Sequence, residues 1–147
     1  LVISGSLILL TILSGSYAVW SQAGFYCTSW PLCGRGPLIP DEFLGWIHML
    51  HRILSLISMV FAAYSIHQLF RDDRVSRLIT RFSIVGLVLI VLQVFWGLLL
   101  PLTYFSEWSR AGHLSIATLI WTVLVFLITL ILKPIPKNEK VLIDFTT

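Results

Sequence analysis

Charged residues are scarce in this sequence, and their absence from long stretches limits what the protein can be. Asp, Glu, Lys and Arg make up only 12% of the 147 residues, about half of their share in an ordinary soluble domain. Hydrophobic residues make up 57%. So little charge excludes a disordered chain, a nucleic-acid-binding tail and an ordinary cytosolic enzyme. The composition instead predicts a protein that crosses a lipid bilayer several times, with no nucleic acid among its partners.

Four stretches are long enough to cross a bilayer core roughly 30 Å thick, which takes about 20 helical residues. They cover residues 1–20, 43–70, 82–101 and 111–132, and Arg52 is the only charged residue in them. Because every backbone amide in lipid must be satisfied within its own segment, we interpret all four as helices. The small residues 14–16 would also suit the end of a signal peptide, but the missing basic start favours a retained helix. The predicted fold is therefore all-α, a polytopic membrane four-helix bundle that forms one domain over residues 1–147.

The basic residues outside the spans predict the orientation of the bundle. One side has the connection between the second and third spans and the tail, residues 133–147, with Arg71, Arg74, Arg77, Arg81, Lys133, Lys137 and Lys140. The other side has only Arg35 and Arg110. Because basic residues collect on the cytoplasmic side, we expect both termini in the cytoplasm and residues 21–42 outside. The glycines and prolines of residues 21–42 predict turns, and hence an ordered extracytoplasmic loop between helices one and two.

Two histidines lie at matching depths on different spans. His51 and His113 are each 19 residues from the cytoplasmic end of their span, or about 28 Å along a helix axis. An imidazole inside a membrane is costly without a partner, and two histidines on facing helices can ligate a heme iron from both sides. Hydrogen bonds from each ring to a serine or a carbonyl within the bundle are the alternative. Zinc is less favoured, because His48 and His51 lack the spacing and the glutamate of a helical zinc motif.

Two neighbours of His51 are further candidates. His48 lies about one turn closer to the outer surface on the same helix face. It is a candidate second ligand, proton carrier or substrate contact, with an interface histidine bonded to water as the alternative. Arg52 points about 100° away from His51 around the helix, where its guanidinium could pair with a heme propionate or extend to the lipid headgroups. His67, near the cytoplasmic end of the same span, is given no role.

The sequence has only two cysteines, Cys27 and Cys33, and both lie in the predicted outer loop. An exported pair usually forms a disulfide, so we expect a structural disulfide, with a redox-active pair as the alternative. A quinone-dependent thiol oxidase is not favoured, because such enzymes need a C-x-x-C pair and usually a second pair. The carboxylates Asp41, Glu42 and Glu107 could assist proton transfer near the outer face, although each singly is better explained as a solvated loop residue.

Several of these residues stand in a pattern that resembles the heme A synthase family. The chain has that family's W-P-L-C loop ending at residues 30–33, with Cys27 as the earlier cysteine, and a His-Arg pair at residues 51–52. The later helices resemble it at Gln93-Val94 with Gly97 and at His113-Leu114 with Ala117. The resemblance covers about residues 14–130.

The resemblance implies an oxidoreductase of a prokaryotic cell membrane that oxidises the C8 methyl group of heme O to a formyl group, yielding heme A for heme-copper terminal oxidases. It implies a bound heme B ligated by His51 and His113, and a cysteine pair linked to redox or heme transfer. It also implies heme O synthase and terminal oxidase subunits as partners. Family members usually have two similar four-helix halves, and this chain has one half's worth, so we expect a homo-oligomer.

The sequence departs from the family pattern at one important position. The family usually has a glutamate three residues before the histidine of the His-Arg pair, and His48 stands there instead. We therefore predict His48 as the catalytic residue for proton transfer. The alternatives are the carboxylates of Asp41, Glu42 and Glu107. The alternative function is a non-catalytic, membrane-bound electron carrier or heme-handling assembly factor that binds heme through the same ligands.

Overall fold

The computed structural model describes residues 1–27, 29, 33, 40, 42–72 and 75–132. Most of these form four α-helices, α1 (Val2–Trp20), α2 (Phe43–Phe70), α3 (Arg77–Leu102) and α4 (Glu107–Leu132), with a short 3₁₀ helix (Ala23–Tyr26) after α1. The described residues contain no β-strand. All four α-helices are long and apolar enough to cross a membrane, which confirms the predicted four-helix membrane bundle. The tail 133–147 and most of residues 28–41, where we predicted ordered turns, lie outside the described residues.

Two helices extend beyond the uncharged stretches from which they were predicted. α3 begins at Arg77 rather than at residue 82, because the Ser76 hydroxyl caps the helix by accepting a hydrogen bond from the Ile79 amide at 3.4 Å. α4 begins at Glu107 rather than at residue 111, since a carboxylate in the first turn is stabilised by the helix dipole. Hydropathy detects only the apolar part of a helix. It therefore misses charged end turns that extend beyond the hydrocarbon layer of the membrane.

The helices form a closed ring in chain order. α1 contacts α2 and α4, and α3 contacts the same two helices, so that α2 and α4 are diagonal partners across the bundle. α1 and α2 run in opposite directions, and so do α3 and α4, as their side-chain hydrogen bonds show. Gly5 near the start of α1 lies against Ile128 near the end of α4, so that α1 and α4 are antiparallel as well, and with them α2 and α3. The end of α1, the start of α2, the end of α3 and the start of α4 therefore lie together. We call this end, with residues 14–27, 42–52 and 93–113, the cysteine end, because the cysteine pair lies there.

An apolar core and small hydroxyl groups hold the helices together away from the cysteine end. The core residues come from all four helices and are Ile8, Ala62, Ile66, Ile79, Ile90, Ile120, Val123, Leu124 and Leu127. Between α1 and α2, Ser4 Oγ donates to the Phe61 carbonyl at 3.1 Å and Thr11 Oγ1 donates to Ser58 Oγ at 2.9 Å. In lipid, helices associate through close packing and hydrogen bonds, because apolar contact alone gains little there.

Candidate functional site

The imidazole of His51 is held against α1. Its Nδ1 is 2.9 Å from Ser14 Oγ, and that hydroxyl donates to the Thr11 carbonyl, also at 2.9 Å. With the hydroxyl proton on Thr11, Nδ1–H of His51 donates to Ser14, and Nε2 keeps its lone pair. Gly15 makes room for the ring, since a Cβ at that position would lie 2.8 Å from Cε1 of His51. The sequence of α1 thus fixes the position of this imidazole and favours the tautomer with its proton on Nδ1.

The imidazole of His113 is held in a similar way by α3. Its Nε2 is 3.2 Å from Nε2 of the buried Gln93 amide. Gly97, one turn further along α3, leaves space for the ring, since a Cβ there would lie 3.4 Å from Cε1 of His113. Nδ1 of His113 and Oε1 of Gln93 are buried and have no hydrogen-bond partner among the described residues. A buried polar atom without a partner costs about 1–3 kcal/mol. A ligand that bonds to Nδ1 of His113 or to Oε1 of Gln93 would therefore be stabilised here.

The two imidazoles come from diagonal helices and lie at the same end of the bundle. Counted from the cysteine end, His51 is on the third turn of α2 and His113 is on the second turn of α4. Because α1 holds one ring and α3 holds the other, all four helices contribute to the space around the pair.

The buried residue His48 lies beside this pair. Its ring stacks on the ring of His51 with a centroid separation of 6.4 Å, and it meets the ring of Phe105 nearly at a right angle at 5.7 Å. The side chain is 8% exposed, and its Nδ1 has no hydrogen-bond partner in the described part of the chain. This atom could hold or accept a proton next to a group bound at His51.

Phe105 covers His48 at a cost in backbone energy. The residue lies in the turn between α3 and α4 with φ 53°, the left-handed region, which costs a bulky residue about 1–3 kcal/mol. Its buried ring lies 6.2 Å from the ring of Phe25 and packs on Gly24, where a Cβ would be 3.2 Å away. The strained turn therefore directs an aromatic side chain over the candidate site, where it excludes water.

Arg52 joins α2 to the part of the chain with Cys27, Ser29 and Cys33, which we call the cysteine segment. Its Nη1 donates to the Ser29 carbonyl at 2.8 Å and its Nη2 donates to the Cys27 carbonyl at 3.0 Å. Cys27 and Cys33 are both buried and form the disulfide that the sequence predicts. Charge-assisted hydrogen bonds are stronger than neutral ones, so Arg52 fixes the disulfide relative to the neighbouring His51. From the sequence we expected Arg52 to pair with a heme propionate or to extend to the lipid headgroups, and the two carbonyl partners were not expected. Pairing with a heme propionate stays a prediction.

Comparison with known proteins decides the family. Residues 1–125 match the sequence profile of COX15-CtaA, described as cytochrome oxidase assembly protein, which is most of the chain. The chain belongs to this family. Its curated relatives are named heme A synthase, so the resemblance that the motifs predicted is confirmed.

Three of these heme A synthases illustrate the similarity. The protein of Macrococcus caseolyticus (strain JCSC5402) is 32% identical over 127 residues, which is 86% of this chain and 42% of the relative. The protein of Geobacillus thermodenitrificans is 27% identical over 124 residues, 84% of this chain and 39% of the relative. That of Geobacillus kaustophilus (strain HTA426) is 27% identical over 125 residues, with the same coverage of 84% and 39%. The chain thus spans about two fifths of the length of these relatives.

The structure separates the three histidines at the cysteine end from the other polar candidates. Glu42 and Glu107 are exposed at the starts of their helices, and Asp41 lies outside the described residues. His67 is exposed near the opposite end of α2. Of the proton-transfer candidates among the described residues, His48 is thus buried, and the carboxylates of Glu42 and Glu107 are exposed.

Several residues that hold the imidazoles have no role that was predicted from the sequence. The signal for Gln93 was present, because an amide inside an apolar span is costly without a partner. Ser14 and Gly15 were considered only as small residues near a possible processing site. Nothing in the sequence indicated Phe105, whose position depends on the backbone of the turn.

Proposed function

We propose that this chain is a heme-binding unit of a heme A synthase, in which His51 and His113 would ligate the iron of a heme B. The observation that carries the proposal is the pair of imidazoles held on diagonal helices at one end of the bundle. Nε2 of His51 has the lone pair that an iron ligand requires. The buried Nδ1 of His113 has no partner among the described residues, and it has a lone pair when the Gln93 amide is turned so that its Oε1 accepts from Nε2–H of His113. Ligation from both sides would satisfy the two rings at once.

The helices around the pair support this proposal. Gly15 and Gly97 let the two rings pack directly against α1 and α3, which fixes the positions from which the rings would ligate an iron. Arg52 keeps a positive charge at the cysteine end, and we propose that it attracts the propionates while it donates to the two loop carbonyls. A charged side chain in a membrane helix is costly unless it pairs with an opposite charge or with hydrogen-bond acceptors.

The proposed reaction oxidises the C8 methyl group of heme O to a formyl group. A bound heme supplies the redox-active iron for such chemistry. His48 holds or accepts the proton at its Nδ1, because that atom is buried beside His51 and lacks a partner in the described part of the chain. A well-placed proton-transfer group contributes typically about 10²- to 10⁴-fold to a rate. Phe105 keeps water away from that atom.

The proposed setting follows from the basic residues and the family. The cysteine end faces the outside of a prokaryotic cell membrane, and both termini are cytoplasmic, because the arginines between α2 and α3 belong on the inner side. A heme O synthase supplies the substrate, and terminal oxidase subunits take the product. A second copy of the chain is the proposed neighbour in the membrane.

Heme analysis tests the activity. The chain is expressed in cells that make heme O and no heme A of their own, and the extracted hemes are separated by chromatography. We expect heme A with the wild type, at least tenfold less with His48→Gln, and the wild-type amount with the matched variant His67→Gln on the exposed end of α2.

Heme B and heme O without heme A would contradict the enzymatic proposal. That result would favour the second candidate function, a non-catalytic heme-binding electron carrier or heme-handling assembly factor. The observation that favours this second function is His48 itself, which stands where the family usually has a glutamate.

A further inference from the structure

Three side chains with metal-binding atoms meet at the cysteine end beside the proposed heme ligands. The ligand atoms of Cys27, Cys33 and His48 all lie within 4.8 Å of one another. The three residues are 0%, 6% and 8% exposed, and Met49 belongs to the same buried cluster as the two cysteines. Two of these residues come from the cysteine segment and two from α2, so that the fold, and not their spacing in the sequence, brings them together.

The imidazole of His48 gains little from the disulfide beside it. Its Nδ1 is buried and has no hydrogen-bond partner among the described residues, and sulfur is only a weak acceptor. One turn further along α2, by contrast, Nδ1 of His51 lies 2.9 Å from Ser14 Oγ. The pocket therefore holds a buried imidazole that has one nitrogen without a partner among the described residues and a nitrogen within 4.8 Å of both sulfur atoms. A bound cation would satisfy this ring, and the disulfide does not.

We propose that Cys27, Cys33 and His48 bind a soft closed-shell metal ion, Cu(I) or Zn²⁺, when the disulfide is reduced. Two thiolates and an imidazole are ligands that these ions prefer, and the nearby Met49 thioether adds to the soft character of the pocket. With metal–sulfur bonds of about 2.3 Å and a metal–nitrogen bond of about 2.1 Å, the donors of one three- or four-coordinate ion lie about 3.6–4.0 Å apart. The imidazole nitrogen lies within 4.8 Å of both sulfur atoms, so it must approach by about 1 Å at most, and the two sulfur atoms move apart once the bond between them is reduced.

The redox state of the cysteine pair controls this site. A dithiol reductant attacks one Sγ as its thiolate, the Cys27–Cys33 bond breaks, and the second thiol of the reductant resolves the mixed disulfide. The products are two cysteine thiols and the oxidised reductant. Binding of the ion then forms two metal–sulfur bonds and one bond to His48, and the two thiol protons pass to solvent, with no change in the oxidation state of the metal. In this state His48 is a ligand and no longer a proton carrier.

Metal titration of the full chain in its oxidised and reduced forms tests the proposal without any heme. Cu(I) is measured by competition with bicinchoninate, Zn²⁺ by competition with a chromogenic chelator, and the thiols by alkylation with a maleimide. We expect the reduced protein to bind one more equivalent of either ion per chain than the oxidised protein, and the ion to protect both thiols from alkylation. Any ion bound by His51 and His113 is present in both forms and cancels in this difference.

Variants identify the ligands. We expect Cys27→Ser and His48→Gln to weaken the additional equivalent at least tenfold, and His67→Gln to leave it unchanged. His48→Asn replaces His48→Gln if that variant loses helical content by circular dichroism. Equal binding in the two redox states for both ions would overturn the proposal, and so would wild-type affinity in the folded His48 variant, because the thiols alone would then account for the binding.

Discussion

Replacement of Gly15 by alanine is expected to weaken heme binding without unfolding the bundle. The added Cβ would lie 2.8 Å from Cε1 of His51 and 3.3 Å from both ring nitrogens, whereas ordinary contacts begin at 3.4 Å. The imidazole must therefore retreat by about 0.6 Å. Because it is the end of a flexible side chain, the ring moves and the helices stay in place.

The magnitude follows from what the ring loses. Its hydrogen bond to Ser14 contributes about 0.5–1.5 kcal/mol, and a ring about 30° from its preferred rotamer costs about 0.5–1.5 kcal/mol more. Together these amount to about 1–3 kcal/mol, or roughly 5- to 150-fold in heme affinity. The free energy of unfolding of the heme-free protein should change by only about 1 kcal/mol or less, because the preference for alanine over glycine in a helix, about 1 kcal/mol, offsets the lost hydrogen bond.

Heme titration of the purified chain, followed by absorbance, measures the affinity, and thermal unfolding in the same detergent measures the stability. Gly5→Ala is the matched control on α1, because its Cβ would make only an ordinary contact of 3.5 Å with Ile128. Wild-type heme affinity in Gly15→Ala, or an equal loss in Gly5→Ala, would refute the assignment of His51 as a ligand held by α1.

Three further substitutions test contacts around the site. Arg52→Met removes the donors to two carbonyls of the cysteine segment, so a dithiol should reduce the disulfide several-fold faster in a thiol-labelling assay, and an unchanged rate would show that Arg52 does not hold the segment. Gly112→Ala places a Cβ on the Trp96 indole and should lower the free energy of unfolding by about 1–3 kcal/mol, measured by denaturant titration in detergent; no loss would mean that the indole is free to move. Thr11→Val removes the donor of the buried 2.9 Å hydrogen bond to Ser58 and should lower the melting temperature through a loss of about 1–2 kcal/mol, whereas an unchanged melting temperature would show that α1 and α2 associate without it.

The helices could be predicted from hydropathy because the bilayer leaves few alternatives. An uncharged stretch of sufficient length must be a helix, and the limits of α2 are the ones predicted from the sequence. The starts of α3 and α4 could not be found in this way. Arg77 and Glu107 belong to their helices through end effects, a capping hydroxyl and the helix dipole, which a hydropathy window does not detect.

In the candidate site, too, some features could be predicted from the sequence and others could not. That His51 and His113 share one end of the bundle could be predicted, because the rise of a helix is constant and the spans alternate in direction. The residues that hold these rings could not, since the packing of all four helices determines which helix lies beside each ring. Gln93 reaches His113 for this reason. Phe105 reaches His48 only because its own backbone, in the turn before α4, has the left-handed conformation.

The absorption and electron paramagnetic resonance spectra of the purified, heme-loaded chain test the proposed ligation most directly. Ligation by His51 and His113 predicts a low-spin b-type spectrum that is lost in His113→Ala and kept in His67→Ala. A wild-type protein that cannot be loaded with heme, or a His113→Ala variant that keeps the low-spin spectrum, would contradict it.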